Sequence, residues 1–476
     1  MRQALKDRFE NCRRILESRG QAHVLRWWHE LNDVERDVLL ADVESIRWEV
    51  VDGLIETHVR QRPPATAVSG LEPAVVYPQP PDERHAAFYR KAVLTGESLI
   101  REGKVAALTV AGGQGTRLGV EGPKGTVVVT PVGGRTLFEL FAAGLLAAGR
   151  RYGRSVPWYI MTSPGNHEET VRFFGSHDYF GLSSDHVVFF TQGTLPAFDF
   201  EGRLILAEKH RLALAPDGHG GTLSALASSG SLADMRARGV EMISYFQVDN
   251  PLARPLDPLF LGLHAETGSE MSTKVTPKTD DLERMGNVCM RDGKVCVIEY
   301  TEFPESCAHA RTPDGRRKFD AGNLAIHVLD VALVERVTGT SLRLPFRRAD
   351  KTVAYVDPHG VRVTPETPNA IKLETFVFDA LPLAKNPLAL AVDRAEEFSP
   401  VKNREGIDSL TTAQRDLVAR ACRWMEAAGV SVPRGPDGGP AVTVVISPLF
   451  ALDAEEVREK AGQLPVFEAG RALYLE

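Results

Sequence analysis

From the amino terminus to about Arg60, apolar residues return every three or four positions: Leu5, Phe9, Ile15 and Leu16, then Val24, Leu25, Trp28 and Leu31, then Val34, Val38 and Leu39. That spacing predicts two or three amphipathic helices. Prolines then gather between Gln61 and Asp82, in Arg62-Pro63-Pro64 and Pro78-Gln79-Pro80-Pro81, and predict an extended arm. One more helix is expected over residues 86–102. Beyond it the pattern changes to short continuous apolar runs separated by helical stretches. Strands are predicted over residues 105–110, 158–162, 187–191 and 243–248, and helices over residues 137–148, 167–174 and 223–238. Strands apolar on both faces, alternating with helices, predict a mainly parallel sheet covered on both sides.

After Glu270 the runs shorten to 271–276, 288–290 and 295–300, with Asp292-Gly293 as a hairpin turn. From about Ile407 a helix (412–428), a Gly/Pro-rich hinge (Pro433–Pro440) and a strand (442–446) suggest a small separate lobe. The predicted organisation is an α/β catalytic domain over residues 96–405, preceded by a helical lobe with its Pro-rich arm (1–95) and followed by a small lobe (406–476).

Composition narrows the chemistry. The chain has 476 residues, 43% hydrophobic and 25% charged, which suits a globular protein with a sizeable core. A net charge of −7 argues against nucleic acid or an acidic membrane surface as partner. The five cysteines are scattered without a C-x-x-C pair, and the thirteen histidines form no H-x-x-x-H pair, so neither a disulfide framework nor a zinc site is expected. The charged amphipathic start is unlike a signal peptide and no apolar run reaches membrane-spanning length, so a cytoplasmic protein is expected.

The first central strand runs into Ala111-Gly112-Gly113-Gln114-Gly115-Thr116-Arg117-Leu118-Gly119, with Pro123-Lys124-Gly125 shortly after. Glycines let backbone N–H groups approach an anion, and Arg117 and Lys124 add positive charge for the same phosphates. The spelling is neither a Walker loop, since no Gly-Lys-Ser/Thr follows Gly115, nor a dinucleotide fingerprint, since Leu118 stands where the third glycine belongs. Asp249 closes another predicted strand, where ligands of parallel sheets gather. A carboxylate there can hold Mg2+ against a phosphate; as an isolated residue it would more commonly cap a helix.

The loop spelling, with Phe189–Ala197, Ala215-Pro216-Asp217-Gly218-His219-Gly220-Gly221, Gln247–Asn250, Val297–Tyr300, Phe319–Asn323, Ile371–Glu374 and Glu397–Asn403, resembles the eukaryotic-type UDP-sugar pyrophosphorylases. The similarity is greatest to those making UDP-N-acetylglucosamine, and it covers residues 100–405. It implies a Rossmann-like core and a reversible reaction in which a sugar 1-phosphate attacks the α-phosphorus of UTP and pyrophosphate leaves, with Mg2+ on Asp249. By the same resemblance, Ala111, Gly112, Gly113 and Gly115 bind the nucleotide, and Gln192 with Gly220 and Gly221 reads uracil. Asn250, in the block that carries Asp249, is expected to bind substrate. Gly286, Glu299 and Asn323 face the sugar, and Arg117, Lys124, Lys372 and Lys402 clamp phosphates.

One position departs from the pattern: His219 stands where the family spelling has Asn near the sugar, and the Tyr-Arg pair of that spelling is missing after Thr222. His219 is reminiscent of relatives that use glucose 1-phosphate or many sugars. A UDP-glucose, UDP-galactose or broad UDP-sugar pyrophosphorylase therefore stands beside the N-acetylglucosamine reading. A third reading, a nucleotide-sugar-binding protein without chemistry, is opposed by the retention of Arg117, Lys124, Asp249, Lys372 and Lys402.

Overall fold

The computed structural model describes residues 3–61, 69–339, 344–436 and 438–476. The Arg62-Pro63-Pro64 part of the predicted arm lies outside the described residues. The chain forms two compact units. The smaller comprises Met1–Ala67, Gly193–Thr222 and Leu344–Val377; the larger comprises Val68–Gln192, Leu223–Arg343 and Phe378–Glu476. These units interleave along the chain, whereas the sequence suggests three consecutive segments.

The larger unit is built on an eleven-stranded sheet. Its strands are β1 (Leu71–Pro73), β2 (Val76–Tyr77), β3 (Val105–Val110), β4 (Trp158–Thr162), β5 (Val187–Thr191), β6 (Met242–Gln247), β7 (Met271–Thr276), β8 (Asn287–Arg291), β9 (Lys294–Ile298), β10 (Gly322–Asp330) and β11 (Leu388–Ala391). The main order is β2-β11-β7-β10-β6-β3-β4-β5, and β8 joins β1 and β9 to β10. Neighbours along the main path are parallel except at β10, which runs antiparallel to both β7 and β6. Strand β10 was not foreseen from the sequence. The buried His327 interrupts its apolar run, and Ala325 bends it with a positive φ of 55°. The β8–β9 hairpin turns at Asp292 and Gly293, both with positive φ (52° and 74°), as a two-residue turn of this spelling requires.

Helices cover the sheet. Leu137–Tyr152 begins at a capping box in which Thr136 and Glu139 exchange side-chain and backbone bonds, and it ends at Gly153 in the left-handed region. Ala86–Arg101 and Pro258–Glu266 touch backbone to backbone. A Cβ on Gly96 would lie 1.9 Å from the Pro258 carbonyl oxygen, and one on Gly262 would lie 1.7 Å from that of Ala92. The single helix predicted over 223–238 is two, Gly221–Ser228 and Ser231–Ala237, parted at Gly230 (φ 81°). At the carboxyl end, Leu410–Ala427 and the parallel strands Thr443–Ile446 and Ala472–Leu475 close over their own apolar cluster, including Cys422, Met425, Val444 and Val457. Among the described residues no helix is long and apolar enough to cross a membrane.

In the smaller unit, helices Gln3–Glu17, Asp33–Glu44 and Trp48–Leu54 pack on short antiparallel strand pairs from the two later segments. The apolar group at Val24–Leu31 forms two short 3-10 turns and no α-helix. One core joins Trp28, Leu39, Leu40 and Val51 to Leu195, Phe198, Leu206 and Ile371. Buried polar groups fasten it: the Gln21 amide donates to the Gly202 carbonyl and accepts from the Leu204 N–H, both at 2.9 Å, and Asp42 accepts from the Leu212 N–H at 3.0 Å.

Candidate active site

Because β3, β4, β5 and β6 are parallel, the segments leaving them emerge at one edge of the sheet. The loop after β3 is folded tightly upon itself. Lys124 N–H donates to Gly113 O (3.0 Å), Gly115 N–H to Gly122 O (2.9 Å) and Val120 N–H to Gly115 O (3.2 Å). Asn166, beyond β4, fixes it from beneath: its Nδ2 donates to Ala111 O (2.9 Å) and Gly113 O (3.3 Å), while Oδ1 accepts from Ser163 N–H (2.8 Å). The N–H groups of Ala111, Gly115, Leu118, Gly119, Val120 and Lys124 are thus used within the fold and hold the loop in one shape. Arg117 stands exposed on the turn Thr116–Leu118.

Gln192, at the end of β5, is buried directly over this loop. A Cβ on Gly112 would sit 2.5 Å from Gln192 Oε1, so glycine is what lets the amide reach this place. On the other side, Lys124 Nζ lies 3.5 Å from Asp249 Oδ2, just past β6. The predicted nucleotide residues Gly112, Gly113, Gln192, Lys124 and Asp249 thus form one continuous set.

The Asn250 side chain is bonded to the 397–399 segment. Its Nδ2 donates to Glu397 O (2.7 Å), and its Oδ1 accepts from Ser399 N–H (3.1 Å). With Val401 N–H donating to Asp249 O (2.8 Å), it fastens the 397–401 segment to the end of β6. Lys402 follows that segment, exposed, its Nζ 3.6 Å from Asp408 Oδ2 and 5.7 Å from the centre of the Phe398 ring. Gly286, Glu299 and Asn323 are also together: Asn323 N–H donates to Gly286 O (2.8 Å), and a Cβ on Gly286 would lie 3.3 Å from Glu299 Oε1. Asn323 Oδ1 accepts from Thr273 Oγ1 (3.2 Å) and Ala325 N–H (3.1 Å).

The remaining predicted residues belong to the smaller unit. There the 217–221 loop lies along the end of strand Ala370–Glu374, which carries Lys372. Thr375 N–H donates to Asp217 O (2.8 Å) and Gly220 N–H to Thr375 O (2.9 Å). The His219 ring stacks on Phe376, 5.1 Å between centres, and its Nδ1 accepts the Val377 N–H at 3.2 Å. That bond places the proton of the neutral imidazole on Nε2. Burial, with Arg347 nearby, pulls the His219 pKa down to about 4, so the neutral form holds at ordinary pH.

Residues 79–427 match the sequence model of the family described as UTP--glucose-1-phosphate uridylyltransferase. The chain belongs to this family. It is 38% identical, over 94% of its length and 93% of the relative's, to UDP-N-acetylhexosamine pyrophosphorylase-like protein 1 of Xenopus tropicalis. It is 32% identical to the UDP-N-acetylglucosamine pyrophosphorylase of Saccharomyces cerevisiae, over 94% of this chain and 96% of that one. The crystal structure of the Trypanosoma brucei uridine diphosphate N-acetylglucosamine pyrophosphorylase in complex with inhibitor superposes with a TM-score of 0.81 at 26% identity, covering 99% of this chain and 98% of the other.

In this uridylyltransferase-family chain several residues beside the site carry no sequence signal of their own. Asn166 is one. Arg404 is another, its guanidinium 3.6 Å from where a Cβ on Gly119 would stand. A third is Lys274 of β7, fully buried, with Nζ 2.5 Å from both Asp257 Oδ2 and Glu397 Oε2. Against the burial that would raise it, Lys274 and Arg254 hold the Asp257 carboxyl below its ordinary value.

Asp217 was quoted only as part of a motif, yet it is buried with Oδ1 lacking any hydrogen bond, and a Cβ on Gly221 would lie 1.9 Å from that oxygen. Burial pushes its pKa up to about 6. A raised folded pKa favours the protonated form, so its contribution is complete below the ordinary carboxyl pKa and is lost as pH rises through about 6. Asp217→Asn is therefore expected to match the wild type near pH 4 and to exceed it by roughly 2–3 kcal/mol above pH 7. Urea unfolding followed across pH checks this; a constant difference would exclude titration of Asp217.

Proposed function

We infer that this chain catalyses the reversible transfer of a uridylyl group from UTP to a sugar 1-phosphate, releasing pyrophosphate, with N-acetylglucosamine 1-phosphate as the preferred acceptor. The observation that supports this most is the unbroken run of contacts from Gln192 through Gly112 and Gly113 to Lys124 and Asp249. An amide at one end suits a base edge, glycine backbone in the middle suits phosphates, and a carboxylate beside a lysine suits a metal–phosphate group.

A single carboxylate at this place fits Mg2+, which takes one or two protein carboxylates and completes its shell with phosphate oxygens and water. Asp249 would hold it, and the ion when bound neutralises charge on the phosphates. The chain's own part is positioning. The loop N–H groups and Arg117 hold the departing pyrophosphate, and Lys124 and Lys402 offset charge around the α-phosphorus. Gln192 orients uracil. No protein nucleophile is needed, because the attacking phosphate is already an anion. Glu299 offers carboxylate acceptors to sugar hydroxyls, and Asn323, its Oδ1 already accepting from Thr273 and Ala325, offers its Nδ2 donors.

Incubating the protein with UTP, Mg2+ and the 1-phosphates of glucose, galactose, N-acetylglucosamine and N-acetylgalactosamine, with pyrophosphate release measured, tests the reading. The highest kcat/KM is expected for N-acetylglucosamine 1-phosphate. The second reading, a glucose or broad-range enzyme, is favoured by His219, whose Nε2–H is a donor where the related spelling has an amide; preference for the non-acetylated sugars would establish it. Release with none of the four would remove the catalytic reading altogether.

Two substitutions separate roles. Lys402→Ala is expected to lower turnover by roughly a hundredfold to a thousandfold while leaving the melting temperature unchanged, since this side chain is exposed; near-normal turnover would take Lys402 out of the mechanism. Gly112→Ala pushes the Gln192 amide aside without touching other backbone. It is expected to raise the KM for UTP by about tenfold, the worth of one or two good hydrogen bonds, with a small change in stability. An unchanged KM would show that Gln192 does not read the base.

A further inference from the structure

The segment that follows Asp249, from Pro251 to Leu259, lines a cavity of about 230 Å3. Its lining is more apolar than polar, with Phe141, Trp424, Pro255 and Pro448 among the lining residues. Among the described residues, neither the glycine loop, Gln192 nor Asp249 contributes to the lining, so the cavity is distinct from the nucleotide site.

Three arginines, Arg151, Arg254 and Arg420, line the cavity together with Glu97, Asp257 and Asp453, and Arg151 is taken up by Asp453 and Glu456. Arg420 is used by the fold: its Nη1 donates to Leu252 O (3.1 Å) and Glu396 O (3.2 Å). Arg254 is different. Its Nε is buried and has no hydrogen-bond partner among the described residues. The acids that face it are Glu397, Asp257, Glu396 and Asp453. Each is engaged elsewhere: Asp257 and Glu397 by Lys274, Glu396 by Arg423 and Trp424, Asp453 by Arg151. Burial and the neighbouring Arg254 pull the Arg420 pKa down to about 10, as two cations sharing a dry wall should. The four carboxylates facing Arg254 raise its pKa against its burial, so its charge is compensated; what is missing is a hydrogen-bond acceptor for the buried Nε–H, which an oxygen of a bound anion would supply. The aromatic and proline rings in the lining favour a ring over a flexible chain.

We propose that this cavity is a binding site for a small aromatic anion, its carboxylate or phosphate accepting from Arg254 and its ring lying between Phe141, Trp424 and the two prolines. The test uses the full-length protein and three probes of one shape: 2-naphthoate, 1-naphthyl phosphate and the uncharged methyl 2-naphthoate, titrated by fluorescence. At least one anion should bind at a single site, about tenfold or more tighter than the ester, and saturating UTP should not displace it. The tighter of the two anions identifies the head group.

Arg254→Met should weaken the anion about tenfold and leave the ester unchanged. Gly144→Leu should abolish both, because a Cβ there makes ordinary contact with Pro255 (3.4 Å) and Pro448 (4.0 Å) and the rest of the side chain enters the cavity. Equal binding of anion and ester, displacement by UTP, wild-type affinity in both variants, or no binding of either anion would each overturn the proposal. All readouts are of binding, so they stand apart from any result on uridylyl transfer.

Discussion

Replacing Asp249 by Asn is expected to lower the rate of pyrophosphate release roughly a thousandfold, about 4 kcal/mol of transition-state stabilisation. The change keeps side-chain volume and removes one charge. The bond from Val401 N–H is to the backbone carbonyl of residue 249, so the junction between the end of β6 and the 397–401 segment survives. What is lost is the carboxylate 3.5 Å from Lys124. Turnover measured against Mg2+ concentration should show both the lower plateau and a metal requirement raised by about tenfold or more. A variant within threefold of wild type, with the same metal dependence, would dissociate Asp249 from the chemistry.

The largest expected stability effect belongs to Lys274. Its ammonium is almost wholly removed from solvent between Asp257 and Glu397. Lys274→Met leaves two buried carboxylates facing one another, and breaking a buried ion pair in this way costs about 3–5 kcal/mol. For a unit of this size the apparent melting temperature should fall by roughly 4–7 °C. Adding Asp257→Asn and Glu397→Gln removes both orphaned charges, and Asn preserves the cap that Asp257 provides to Leu259 and Phe260 N–H. That triple variant should regain at least half of the loss. A single variant that melts within 2 °C of wild type would show that water or protonation already satisfies the carboxylates.

Much of the catalytic half was legible because its signals are local. Strands β3, β4 and β5 begin and end where their apolar runs do, since a strand covered on both faces is largely apolar. The glycine loop, Gln192 and Asp249 are spelled at strand ends, and a parallel sheet brings strand ends together. What escaped is non-local. Nothing in the neighbourhood of Lys274 announces that residues 257 and 397 will neutralise it, and Asn166 shows its grip on the glycine loop only in space. Adjacency of Asn250 to Asp249 in sequence says nothing about side-chain direction: successive residues past a strand point different ways, and this one holds residues 397–399. The interleaving of the two units escaped for the same reason. Residues 193–222 and 344–377 look like loops and short strands until they meet the amino-terminal helices.

That meeting has a consequence for how the chain is made. The helices between Gln3 and Leu54 share their core with Ile371 and Leu373. At ribosomal speeds of about 5–20 residues per second, the wait for those residues is roughly 15–60 s. Throughout it, Trp28, Leu39 and Val51 have only part of their cover. A segment made roughly 300 residues ahead of its partners is thus finished only when they arrive, and it is where a nascent chain of this protein would most need a chaperone.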